Sequence, residues 1–346
     1  RSFESPFHAP LRSCMAPSCV AGSDQCFSGA TVKAYPRPSL LRCIVGWATI
    51  SLFTSGLVLI PVACLLAAAF AFRQPFPWAL VCVVLLGLAV CPHRKWPAVE
   101  AMWCRVFGLW AQIFHTTLIY EEGLLPASGD SRAGPLKDFI LTVHPHAVIP
   151  ITGFLIWGAT FQHGLHPDGF AGSGAALAMP FFRQFLKWNG GHDVSKHVVK
   201  ALLKEVNSFS IFSGGISEMM ATHNDKETLL LSKRIGIIAL AKEHGKKVVP
   251  VIAFGTTQHF KRWPSPDNPT LHWLSKKLRA AFLIPYGRLG LPIPFFAPTT
   301  IVFGSPIDVA EATVEDAHKQ WMSWYAEACT KYAKVAGVSD REIVIL

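Results

Sequence analysis

Between Cys43 and Phe72 the chain carries no charged residue, and after the single Arg73 a second uncharged run extends from Gln74 to Pro92. Since about 20 apolar residues span a bilayer core, each run predicts a transmembrane helix, the second at the lower end of the usable length. The stretch Arg73-Gln74-Pro75-Phe76-Pro77 is rich in turn formers and pairs the two runs as a hairpin with both ends on one side. Pro61 predicts a kink or a division in the first run. Lys33, Arg37 and Arg42 precede the pair and His93, Arg94 and Lys95 follow it, which places both flanks in the cytosol. The competing expectation is a buried helical hairpin in a soluble core, where uncharged runs of this length are rare.

Beyond the hairpin the periodicity changes. Trp96, Trp103 and Trp110 recur every seven residues, with Val99, Val106 and Ile113 near the same helical stripe. Indole rings favour a membrane interface, so Trp96 to Phe114 is expected to be an interfacial helix or, alternatively, a helix packed on the domain core. Glu121 to Lys137 reads as a linker. Short apolar runs then alternate with helical patterns. Phe139 to Val143, Phe209 to Phe212, Val248 to Phe254 and Thr299 to Phe303 predict buried strands, and Val194 to Val206 and Leu229 to His244 predict helices. The last helix is marked by Val314, Ala317, Trp321, Tyr325, Ala328, Tyr332 and Val335, with capping-box spacing at Thr313 and Asp316 and a stripe read as core packing. The alternation predicts an α/β domain. Four regions follow: a disordered segment over 1–40, with an incomplete end or a targeting segment as the alternatives, the hairpin over 41–92, an interfacial helix over 93–120 and the α/β domain over 121–346.

Composition narrows the partners. With 32 basic against 22 acidic residues the formal net charge is +10, which favours anionic partners. Nothing resembles a nucleic-acid module, which leaves an anionic membrane surface or a phosphate-bearing substrate. Nine cysteines include no CxxC pair, and Cys43, Cys64, Cys82 and Cys91 fall in or beside the apolar hairpin, so a disulfide scaffold is not expected.

The candidate chemistry begins at His144-Pro145-His146, between two apolar runs. On an extended backbone, residues two apart share a face, which concentrates two imidazoles in one acid/base site. Ser213-Gly214-Gly215-Ile216-Ser217-Glu218 follows a predicted strand, and its glycines allow a tight turn that delivers Glu218 to a crevice at the end of the sheet. The fourteen histidines also raise a membrane di-iron oxygenase or desaturase, but His163, His166, His192 and His197 are scattered and no HxxHH occurs.

The order HPHAVIP, MPFFRQFLKWNGG, FSGGISEMM, KRIGIIALAKEHGKKVVPVIAFG and GRLGLPIPFFAPTTIVFGSPI resembles the type-2 diacylglycerol acyltransferase family, which also contains monoacylglycerol and wax-alcohol acyltransferases. The likeness runs from the hairpin to the C-terminal helix. It implies a membrane-anchored acyltransferase domain over 121–346, of mixed sheet with flanking helices as in the glycerolipid acyltransferases. The family's HPHG or EPHS motif matches His144, Pro145 and His146, and members that keep only the second histidine imply His146 as the base. PxxR matches Pro180 and Arg183, and GGxxE matches Gly214, Gly215 and Glu218. A basic-Gly segment matches Arg234 and, one residue displaced, Gly236. Ala147 departs from the usual Gly or Ser. The HX4D box of related glycerolipid acyltransferases is absent, with Ile149 and Ile151 where Asp would stand.

The activity implied is acyl transfer from acyl-CoA, a co-substrate with no further cofactor, to diacylglycerol, or alternatively to monoacylglycerol or a long-chain alcohol. His146 would take the hydroxyl proton, and general-base help is worth roughly 100- to 10,000-fold. Backbone amides near Gly214 and Gly215 or the His144 ring would meet the oxyanion, Glu218 would fix the His146 tautomer or position substrate, and Arg183 would grip CoA phosphate. The expected location is the endoplasmic reticulum membrane with a cytosolic catalytic domain. Lipid-droplet association, a plastid location, a homo-oligomer and an inactive lipid-binding relative remain alternatives.

Overall fold

Short runs, the central ones rich in β-branched and aromatic residues, form the strands of one eight-stranded sheet. The computed structural model describes residues 30–71, 87, 94–125, 136–179, 181–266, 268–278 and 281–346. The chain enters through β1 (Thr31–Ala34), the long helix α1 (Leu40–Ala71), α2 (Pro97–Ile113) and β2 (Thr117–Tyr120). Next come β3 (Phe139–His144), α3 (Ile151–His163), β4 (Gly169–Gly172), α4 (Gly174–Ala178), α5 (Phe182–Trp188) and β5 (Gly191–Asp193). They are followed by α6 (Lys196–Leu202), β6 (Ser208–Ile211), α7 (Gly215–Ala221), β7 (Lys226–Leu229), α8 (Ile235–Glu243) and β8 (Lys247–Phe254). The chain closes with β9 (Lys261–Trp263), α9 (Pro269–Leu278), β10 (Ile284–Tyr286), β11 (Thr300–Phe303), α10 (Val314–Tyr332) and β12 (Glu342–Ile345).

The strand order is β1-β2-β11-β8-β3-β6-β4-β5. From β8 to β5 all pairs are parallel, whereas β11 runs antiparallel to β8 and β1 antiparallel to β2. A sheet covered on both sides needs apolar residues at successive positions, which is why Phe139 to Val143 is a continuous buried run. Phe139, Leu141 and Val143 join Phe107, Trp110, Ile151 and Leu155 of α2 and α3 on one face, and Ile140 joins Ile238, Trp321 and Tyr325 of α8 and α10 on the other.

The connections fix where a site can form. From β3 the chain crosses the α3 face toward β4, whereas from β6 it crosses through α8, on the opposite face, to β8 on the far side of β3. Adjacent parallel strands whose exits diverge leave a crevice at their carboxyl ends. His144 and Ser213 stand at that edge of the sheet, bonded to each other.

Several expectations change. Residues 31–34 are a strand paired with β2, so the segment over 1–40 is not disordered throughout; residues 1–29 lie outside the described part. Because β1 and β2 belong to the main sheet, the α/β domain begins well before 121. The helix expected over Leu229 to His244 starts at Ile235, since Leu229 ends β7, and the one expected over Val194 to Val206 spans Lys196–Leu202. In α2, Trp110 is fully buried and Trp103 packs on the core, leaving Trp96 as the exposed indole, so this helix is a core element and not an interfacial one along its length.

Helix α1 runs unbroken through position 61, and Leu40–Ile60 is long and apolar enough to cross a membrane. Its partner over Gln74 to Pro92 falls, apart from residue 87, outside the described residues. Leu40, Leu41, Ile44, Leu52, Leu59 and Leu66 face outward without protein cover. The opposite side docks on the domain: an added Cβ at Gly46 would lie 2.2 Å from Ile113 Cδ1, and Phe53 packs its ring 4.9 Å from that of Phe185 and 5.3 Å from that of Trp110. The Thr54 hydroxyl donates to the Pro292 carbonyl at 2.6 Å.

Candidate active site

His144 ends β3 with no exposed surface, on the strand face that also carries Thr142. That face looks onto α10, where the rings of Trp321 and Tyr325 stand 5.6 and 5.2 Å from the imidazole. Past His144 strand β3 ends and the chain leaves the extended conformation, with φ 58° at Ala147. The expectation that both imidazoles share one face of a strand therefore fails. The two rings meet different partners.

His144 Nδ1 donates to Glu218 Oε1 at 2.8 Å, and the Ser213 hydroxyl donates to His144 Nε2. His146 Nδ1 donates to the Ala147 carbonyl at 2.9 Å, and its ring lies edge-on to Phe212 at 5.2 Å. Its Nε2 has no hydrogen-bond partner among the described residues, and the side chain is partly exposed. The carbonyl contact fixes the proton on Nδ1 and leaves Nε2 as a lone-pair acceptor. Burial holds the His146 pKa below the ordinary histidine value, against opposing contributions from the Ala147 carbonyl and the Glu218 charge.

Glu218, fully buried on α7, ties this corner together. Its Oε1 also accepts the Leu230 N–H at 2.9 Å, and its Oε2 accepts the His146 backbone N–H at 2.7 Å. Burial alone would push the carboxyl upward, but the facing His144 ring and the three donors outweigh it and hold the pKa below the usual glutamate value. The expectation that Glu218 fixes the His146 tautomer is corrected: it holds the ring of His144 and only the backbone of His146.

The two glycines now have separate reasons. A Cβ on Gly214 would sit 2.0 Å from Glu218 Oε2, so only glycine lets the carboxylate reach back, while Gly215 has φ 55° as the chain enters α7. Arg234 Nη2 donates to the Gly214 carbonyl at 2.7 Å and pins the turn. The Gly215 N–H is spent on the Phe212 carbonyl at 3.2 Å, which removes it as an oxyanion donor, whereas the Gly214 N–H has no acceptor among the described residues. With both ring nitrogens engaged and no exposure, His144 cannot meet an oxyanion either.

Pro145 is buried between the histidines. Arg183 sits on α5, and no hydrogen bond or ion pair joins it to this corner; Pro180 lies outside the described residues. Burial and the Arg183 charge one turn away lower the pKa of Lys187 against the opposing charge of Asp193, and the two basic residues lie on one helix face. Two contributors were not singled out from sequence: Ser213, whose signal was a serine at a strand end directly before Gly-Gly, and the Trp321–Tyr325 wall, hidden because its stripe reads as ordinary core. Among the described residues no three His, Cys, Asp or Glu side chains are grouped to hold a metal ion.

The family profile described as diacylglycerol acyltransferase matches residues 99–345. The chain is 27% identical over 296 residues to diacylglycerol O-acyltransferase 2B of Umbelopsis ramanniana, covering 78% of this chain and 81% of the relative. It is also 27% identical over 237 residues to 2-acylglycerol O-acyltransferase 1 of Bos taurus, covering 61% and 70%. Among solved structures, the 1-acyl-sn-glycerophosphate acyltransferase of Thermotoga maritima aligns with TM-score 0.42 and 16% identity over 84% of this chain and 96% of that one. With the family profile covering most of the chain, residues 99–345, the chain belongs to the diacylglycerol acyltransferase family and is a glycerolipid acyltransferase.

Proposed function

We propose that this enzyme transfers the acyl group of acyl-CoA to the free hydroxyl of diacylglycerol, with His146 as general base. The observation that carries the reading is the state of the His146 ring: Nδ1 is committed to the Ala147 carbonyl and Nε2 is left as a lone-pair acceptor. A lipid hydroxyl is a poor nucleophile at neutral pH, and a neutral imidazole removes its proton as the oxygen attacks the thioester carbonyl. The Gly214 N–H, which has no acceptor among the described residues, is the donor assigned to the oxyanion.

Like charges four apart on a helix repel by a few tenths of a kcal/mol, so the Arg183 and Lys187 pair is better suited to an anion than to solvent, and CoA phosphate is its proposed occupant. The uncovered apolar side of α1 supports a bilayer anchor that keeps the crevice near dissolved lipid. The proposed topology is a hairpin inserted from the cytosolic face of the endoplasmic reticulum.

The test is the full chain in membranes of a host lacking neutral-lipid synthesis, given labelled oleoyl-CoA and diacylglycerol, monoacylglycerol or a long-chain alcohol. Triacylglycerol should form fastest, and His146→Ala should lower it more than tenfold with expression unchanged. Faster product from monoacylglycerol would move the acceptor, and residual activity above a tenth of wild type would remove His146 as the base.

A further inference from the structure

We propose that Ser213, His144 and Glu218 form a nucleophilic relay that takes the acyl group from the thioester onto Ser213 and yields it to water, an acyl-CoA hydrolase activity beside acyl transfer. The proposal rests on the reading of acyl-CoA as donor but assigns His144 a task that transfer through His146 leaves unfilled.

The three side chains are bonded in series. The Glu218 carboxylate accepts the His144 Nδ1 proton at 2.8 Å, which forces the lone pair onto Nε2, and Nε2 accepts the proton of the Ser213 hydroxyl. A serine bonded to an imidazole whose far nitrogen is held by a buried carboxylate is the arrangement that activates a hydroxyl for attack. The surroundings fit. Ser213 stands on the turn between β6 and α7 at the carboxyl edge of the sheet, and the next backbone N–H, that of Gly214, has no acceptor among the described residues. An N–H just after the nucleophile on a strand-to-helix turn is the usual first oxyanion donor in hydrolases of this geometry. Exposure divides the series as such a relay requires: His144 and Glu218 are fully buried, whereas Ser213 is partly exposed. A serine needed only to satisfy a buried imidazole has no cause to be exposed.

The step balances. The Ser213 oxygen attacks the thioester carbonyl carbon as its proton passes to His144 Nε2. The carbon–sulfur bond breaks, the CoA sulfur takes that proton, and an ester remains on Ser213. Water then gives one proton to Nε2 and its oxygen to the ester carbon, and the serine oxygen leaves and recovers the proton. The sum is acyl-CoA plus water giving fatty acid plus CoA.

The full chain in detergent, given oleoyl-CoA without lipid acceptor, should release CoA and oleate, and Ser213→Ala should lower that rate at least tenfold. A fluorophosphonate should add its phosphonyl group to the peptide bearing Ser213 in the wild type, and Ser213→Cys should carry an oleoyl thioester cleaved by neutral hydroxylamine. No hydrolysis in the wild type, a smaller than tenfold loss in Ser213→Ala, or no phosphonyl group on Ser213 would each overturn the relay. Because the phosphonyl readout uses unmutated protein, it does not depend on a variant folding. Diacylglycerol transfer measured on the same wild-type preparation separates the two readings: transfer without hydrolysis leaves His146 and sinks Ser213, and hydrolysis without transfer does the reverse.

Discussion

Replacing Glu218 by glutamine keeps the size of the side chain and removes one acceptor from a corner that needs both. Three donors converge on the carboxylate, with His144 Nδ1 and the Leu230 N–H on Oε1 and the His146 N–H on Oε2. An amide supplies one oxygen. If that oxygen takes the Oε1 position, the new NH2 group faces the His146 N–H, and two donors oppose each other where a 2.7 Å bond stood. If it takes the Oε2 position, His144 can shift its proton to Nε2 and accept at Nδ1, but the Leu230 N–H is stranded. Either way one buried backbone N–H goes unpaired, which costs about 1–3 kcal/mol. The surviving bonds also pass from charge-assisted to neutral and lose roughly half their strength. The sum is on the order of 2–4 kcal/mol of stability.

The kinetic consequence follows from the same choice. With the amide oxygen at Oε1, the backbone of His146 is released, and a displacement of about 1 Å at a reacting group costs on the order of 100-fold. Glu218→Gln should therefore unfold earlier in denaturant and lose tenfold or more in kcat for acyl transfer, with the KM for acyl-CoA little changed because the basic face of α5 is untouched. Stability within about 0.5 kcal/mol of wild type together with kcat within threefold would refute the role given to this carboxylate.

Other outcomes follow from single features. Because burial holds the His146 pKa down, its base form persists into acid; the kcat/KM profile for acyl transfer should fall with decreasing pH only below the ordinary histidine value near 6.5, and an acid limb centred above it would contradict the assignment. At Ala147, φ 58° costs an L-residue about 1–2 kcal/mol, which glycine relieves while losing a buried methyl and gaining unfolded-chain entropy. Ala147→Gly should thus be neutral to within about 1 kcal/mol, and Ala147→Val should destabilise by about 3 kcal/mol; the opposite order in thermal unfolding would show that the turn is not strained. Arg183→Lys should raise the KM for acyl-CoA without changing that for diacylglycerol, and equal changes would mark Arg183 as structural. Tags at both ends should be digested by protease in sealed microsomes, and protection of either one would show an odd number of crossings.

Local signals carried the fold where one physical cause dominates. The buried strands were visible because a sheet covered on both faces requires unbroken apolar runs, and α10 because a three-to-four spacing with Thr313 capping Asp316 has no other economical reading. The errors are equally local. Leu229 belongs to a strand because β12 returns from the far end of the chain to pair with it, information absent from any window around Leu229. The strand β1 was hidden for the same reason, its one strand partner among the described residues being β2, across the whole of α1 and α2. Tryptophan periodicity in α2 could not distinguish lipid from protein as the apolar medium, and the burial of Trp110 depends on α1 and α3 arriving there.

The site was legible by residue type and illegible by pairing. His144, His146, Gly214, Gly215 and Glu218 were marked by their motifs, yet which histidine the carboxylate holds depends on how the chain turns after β3. Positive φ at Ala147 sends the His146 ring back to the Ala147 carbonyl and away from Glu218, which leaves the carboxylate free to take the His146 N–H and the His144 ring together. One acid thereby serves two imidazoles in different ways, setting the tautomer of one and the place of the other. That division predicts that the two histidines are not interchangeable. A swap of roles would need Glu218 to reach the His146 ring, whereas its carboxylate is seated back over the turn, where a Cβ on Gly214 would lie 2.0 Å from Oε2.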